Sequence, residues 1–110
     1  MPLSEKVRIE IFIPDLPDPA YVSILEELGN ELTYAFGGCT LIATSGKYRS
    51  SDRLIFPDKV QLPFSDTPFF WTPDRLLVEL YAERIRSVVK RALSREESIL
   101  VVAYPVYHAT

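Results

Sequence analysis

The densest group of residues able to bind something is Lys47, Tyr48, Arg49 and Arg53. Three cations and an aromatic on one turn could grip a phosphate or carboxylate, with the Arg49 guanidinium as a two-pronged fork. Only Gly46 accompanies them, so the glycine-rich backbone of a phosphate loop is absent. The competing reading is a charged hairpin tip that keeps a sheet edge soluble. Cys39, the one thiol, is expected just after a helix C-terminus, where the dipole disfavours a thiolate, so a small core-facing residue is anticipated. His108, the one histidine, has no neighbouring cysteine or acid to complete a metal site. It serves acid–base chemistry only if the tail folds over a pocket, and is otherwise a frayed, solvated end. Phe69, Phe70 and Trp71, with Phe64 nearby, either close the core under the following helix or line an interface or ligand wall, with Trp71 as the candidate contact. Glu96 and Glu97 are adjacent and point to opposite sides of an extended segment, so they form no acid–base pair.

The elements that must carry these residues follow from periodicity. Val7, Ile9, Ile11 and Ile13 alternate with Lys6, Arg8, Glu10 and Phe12, which predicts a half-buried strand over 5–13. Asp18 and Pro19 open a helix as cap and first residue. Its core stripe is Tyr21, Leu25, Leu28, Leu32 and Ala35, and Gly37-Gly38 ends it. Strands are expected at 39–45 and 59–65, with a short hairpin arm at 54–56 between them; Pro63 is unusual for a central strand. Thr72 and Pro73 are read as the start of a second helix with Leu77, Tyr81, Ile85, Val88 and Ala92 inward, flanked by Val78 and Val89. Glu83 and Arg86 can pair on its outer side. Arg84 and Arg91 flank the stripe, a placement common at interfaces. Residues 98–107 form the last strand, apolar on both sides, with Leu100, Val102, Tyr104 and Val106 on one of them.

The chain has 110 residues, of which 47% are apolar, and a net charge of -3, which point to one folded domain over 1–110. A domain of this size exposes roughly 6,000 Å² of an extended-chain total of roughly 18,000 Å², so it needs no disulfide or metal to fold. No apolar run approaches the ~20 residues of a membrane span, and no secretory signal is expected. A single cysteine suits a reducing cytoplasm. Residues 1–46 carry two bases against seven acids, and residues 47–110 carry ten bases against eight acids. Neither half has the basic excess of a nucleic-acid binder.

The order strand, helix, strand, strand, helix, strand resembles ferredoxin-like domains over nearly the whole chain. That resemblance implies an α+β, βαββαβ two-layer sandwich: a four-stranded antiparallel sheet with both helices on one face, strands one and three central. Two families of that superfold bear comparison. Gly46-Lys47-Tyr48-Arg49 sits where signalling proteins of the PII type carry a mobile loop, but Ser94-Arg95-Glu96-Glu97 stands where their glycine-rich nucleotide turn belongs. Dimeric α/β-barrel proteins share the layout and pair sheet faces.

The expectation is a homo-oligomeric regulatory or interaction module, a dimer or trimer joined through the fourth strand and the open sheet face. Its turn at Lys47, Tyr48, Arg49 and Arg53 would meet an anionic small molecule or a protein partner. No cofactor, metal, nucleic acid or membrane is expected. The competing expectation is a ligand-binding protein or enzyme with a cleft between the open sheet face and residues 64–71, using Tyr48, Arg49 and His108. A pocket with converging polar groups separates the two.

Overall fold

The computed structural model describes residues 2–49 and 55–110, and the side chains of all of these except 48, 49 and 55–57. Six elements follow one another: β1 (Ser4–Pro14), α1 (Pro19–Phe36), β2 (Thr40–Arg49), β3 (Ile55–Thr67), α2 (Arg75–Ala92) and β4 (Leu100–His108). The strands form one antiparallel sheet in the order β2-β3-β1-β4. Val7, Ile9, Ile11 and Ile13 point to one side of β1 and are fully buried. Ile9, Ile11 and Ile13 pack with Tyr21, Ile24, Leu28 and Leu32 of α1 and with Ile85 and Val89 of α2, so both helices cover the same face.

Local chemistry fixes α1 as expected. Asp18 Oδ1 accepts from the Ala20 N–H at 2.8 Å, Pro19 takes the first helical position, and Gly37 ends the helix at φ +87°, where a side chain would be strained. Within its stripe, Ile24 is buried, Leu25 is half-buried and Ala35 is exposed.

Helix α2 departs from the sequence reading. It begins at Arg75, not at Pro73, because residues 70–74 form a separate turn. The Asp74 N–H donates to the Phe70 carbonyl at 3.1 Å, and Asp74 Oδ2 accepts from the Phe70 N–H at 2.8 Å. Its buried residues are Val78, Ile85 and Val89, while Leu77 and Val88 are exposed. The inward stripe keeps Ile85 and is displaced toward the expected flank of Val78 and Val89, by roughly 60° around the helix. Tyr81 stays at the core margin, edge-on to Phe36 at 5.2 Å.

Among the described residues the buried Tyr81 hydroxyl has no partner within hydrogen-bond geometry, with the Glu31 carboxylate its nearest acceptor. Burial first, and the charge of Glu31 second, push it up to about 12. An unpartnered buried hydroxyl opposes folding, so Tyr81→Phe is expected to raise stability by about 1 kcal/mol in urea denaturation. A loss of that size would show that the hydroxyl is bonded after all.

Strand β3 is longer than expected. Ile55 and Phe56 of the expected arm, the expected break at Pro57-Asp58 and the strand expected at 59–65 form one strand, while Leu54 lies outside the described residues. Pairing with β1 runs to Glu10↔Phe64 and resumes at Ile13↔Gln61. Pro63 falls in the gap, where its missing N–H interrupts the ladder without ending the strand. Pairing with β1 stops at Pro14↔Val60, but β2 pairs with β3 from Ser45↔Lys59 on to Arg49↔Ile55. That stretch leaves the sheet as a two-stranded ribbon about 17 Å long, at ~3.4 Å per residue.

Candidate functional site on the open sheet face

The side of the sheet away from the helices carries the even-numbered residues of β1. Register alone places Arg8 between Asp66 of β3 and Tyr104 of β4, and Glu10 between Phe64 and Val102. His108 lies opposite Ser4 at the end of β4. Arg8 donates from Nε to Asp66 Oδ1 at 2.7 Å and from Nη2 to Oδ2 at 3.0 Å. Its guanidinium also lies 4.3 Å from the centre of the Phe64 ring. His108 Nε2 meets Asp66 Oδ2 at 2.7 Å, and the Tyr104 hydroxyl donates to Glu10 Oε2 at 2.5 Å. Three strands thus bring together two carboxylates, a guanidinium, an imidazole and a phenol.

The charges order one another. The hydrogen bond from Arg8, working against burial and helped by His108, holds Asp66 below the usual carboxylate range. Asp66 in turn raises Arg8, while the Glu10 carboxylate and then burial raise Tyr104. Asp66 is therefore an anion held against one ring nitrogen of His108, the relation an orienting acid has to a general base. The folded pKa of Asp66 is lower than its unfolded value of about 3.9. Its stabilising contribution is complete above that pH and is lost as pH falls through the folded value. Asp66→Asn is expected to flatten this part of the acid limb when denaturation is followed as a function of pH. An unchanged acid limb would show that Asp66 gains nothing from its partners.

A depression of about 420 Å³ opens beside this corner, lined by Phe36–Thr40 and Phe64–Asp66. It exists because β2 starts at Thr40, opposite Phe64, and gives residues 65–67 of β3 no strand neighbour on that side. Ser65 Oγ closes its floor by donating to the Gly38 carbonyl at 2.5 Å. Cys39, half-buried in the wall, has its thiol pushed up by burial, the opposite of an activated nucleophile. Among the described residues no group of three or more His, Cys, Asp or Glu could hold a metal ion. No helix among them is long and apolar enough to cross a membrane.

The residues singled out in the sequence fall in different places. Lys47, Tyr48 and Arg49 belong to strand β2, paired with Pro57, Phe56 and Ile55, and are not on a turn. Lys47 is exposed; the side chains of Tyr48 and Arg49, and all of Arg53, lie outside the described residues. Trp71 is at the far end of β3 from them. Its backbone N–H donates to Glu5 Oε2 at 2.8 Å, and Arg75 stacks 4.2 Å from its ring centre.

The expected cleft between the sheet face and residues 64–71 is not formed, because the segment turns away from that face. Phe64 lies on it under Arg8, but Phe69 packs edge-on to Phe36 at 6.0 Å on the helix side. Leu100 is 56% exposed, while Val102, Tyr104 and Val106 are half-buried. His108 is no frayed end; it is the last residue of β4 and is anchored to Asp66.

Arg8, Glu10 and Asp66 escaped the sequence reading as site residues. Arg8 and Glu10 had been assigned correctly to the polar side of β1, and the signal was there in two opposite charges on one face. What was missing was the register that sets Asp66 against Arg8. Compared with known proteins, the chain matches no family model and no curated protein.

Proposed function

We propose that this chain is a ferredoxin-like module that binds a small polar molecule at the Asp66–His108 corner of its open sheet face and exchanges a proton with it. The order β2-β3-β1-β4, with both helices on one face, supports the ferredoxin-like reading. The observation that carries the functional reading is the Asp66 carboxylate shared between the Arg8 fork and His108 Nε2. Arg8 keeps Asp66 ionised, Asp66 orients His108, and His108 is the acid–base group. Tyr104 with Glu10 is a second hydrogen-bonding station on the same face. Native mass spectrometry of protein purified from its own cells tests this. The wild type should retain a small molecule that His108→Gln and Asp66→Asn lose. A wild type with no retained mass, or variants that retain it equally, would sink the reading.

A second reading is an interaction module that uses the projecting β2–β3 ribbon, favoured by the exposure of Lys47 on it. An anionic small molecule or protein would then be lost from Lys47→Ala combined with Arg49→Ala, and retained by His108→Gln.

A further inference from the structure

Among the described residues α2 carries more exposed large apolar side chains than any other element. Leu76, Leu77, Leu80 and Val88 are 66%, 54%, 60% and 47% exposed. A lone surface leucine means little, but four on one helix form the kind of patch that marks a contact. Beside them α1 and α2 stand apart, leaving a groove of about 340 Å³ with Ile24, Leu28, Ile85 and Val88 along it.

Charge identifies what fits there. Helix α1 carries Glu26, Glu27 and Glu31 and no base; α2 carries five bases against Glu79 and Glu83. Within α2, Arg75 pairs with Glu79 and Arg86 with Glu83, leaving Arg84, Lys90 and Arg91 outside those pairs. Glu27, Glu31 and Arg84 line the same groove, yet among the described residues no ion pair joins them. The two helices are therefore oppositely charged and share one apolar seam. We infer that the helix layer is the contact surface between two copies of this chain, related by a twofold axis. Each α2 lays its leucines into the partner's groove, and the Arg84 and Arg91 side of one copy meets the Glu27 and Glu31 side of the other. A twofold contact makes each such pairing twice. An 18-residue helix is ~27 Å long, and two side by side offer about 500 Å² per copy, close to the ~1,000 Å² total that a specific interface needs. The dimer consequently dissociates on dilution and weakens with salt. A membrane with anionic lipids fits less well, because α1 would bring its three carboxylates to the same surface. The open sheet face stays outward in both copies.

Sedimentation of the full chain over a concentration series tests this with two charge-reversed variants, Glu27→Lys with Glu31→Lys and Arg84→Glu with Arg91→Glu. All four positions are exposed, so circular dichroism should report an unchanged fold. The wild type should be a dimer at high concentration, and each variant alone should self-associate at least about tenfold more weakly, a change of ~1.4 kcal/mol. An equimolar mixture should regain a dimer containing one copy of each. A monomeric wild type, or a mixture that stays monomeric, overturns the inference. So does a dimer that both reversals leave intact and Val102→Lys dissociates, since the second copy would then lie on the sheet face.

Discussion

Replacing Ile11 with alanine is expected to destabilise the fold by about 2–5 kcal/mol. Ile11 is fully buried at the centre of the cluster where β1 meets both helices. No side chain beside it is free to fill the space, because Ile9 and Ile13 flank it on the same face of a strand paired continuously with β4 and with β3 on either side of the gap at Pro63. The loss combines the removed apolar surface with the cavity left behind. In a domain of this size the midpoint of thermal unfolding should fall by roughly 10 °C or more. Leu80→Ala on the outer side of α2 is the matched control: measured at a dilution that keeps the chain monomeric, it should move stability by less than about 0.5 kcal/mol. Equal losses at the two positions would mean that α2 packs through a different face.

The second large effect is expected at Asp66. Asp66→Ala leaves the Arg8 guanidinium over Phe64 with no carboxylate and His108 with no acceptor. Hydrogen bonds to charged groups contribute about 1.5–3 kcal/mol. Both partners keep some access to water, so the lower half of that range is expected for the whole change. Arg8→Met tests the same network from its other side. It replaces the guanidinium with an apolar side chain over Phe64, so it should cost less than Asp66→Ala, provided His108 keeps Asp66 paired. A double-mutant cycle on Arg8 and Asp66 measures the coupling directly. A coupling energy near zero would show that these contacts add nothing to stability, and would leave the ordering of His108 without its support.

Much of this architecture is legible in the chain because its causes are local. The alternation through Val7, Ile9, Ile11 and Ile13 requires a strand with one dry side. Asp18-Pro19 and Gly37 bracket α1 through groups no more than four residues away. Helix α2 shows the limit of such reasoning. Thr72-Pro73 looks like a second copy of Asp18-Pro19, but Asp74 bonds back to Phe70 and the helix starts later, and Leu77 and Val88 lie outside the core. Among the described residues α2 exposes four large apolar side chains, Leu76, Leu77, Leu80 and Val88, where β4, read as apolar on both sides, exposes Leu100 and Tyr107.

The candidate site shows the same division more sharply. The sequence by itself determined that Arg8 and Glu10 share the polar side of a strand, since side chains alternate along any strand. Only the tertiary structure decided what they meet: Asp66 is 58 residues from Arg8 along the chain, and His108 is 42 residues from Asp66. A pairing register shifted by one residue would send Asp66 to the helix side and dissolve the cluster. That register is held by the burial of Val7, Ile9, Ile11 and Ile13 against two helices, an interaction among elements drawn from the whole chain.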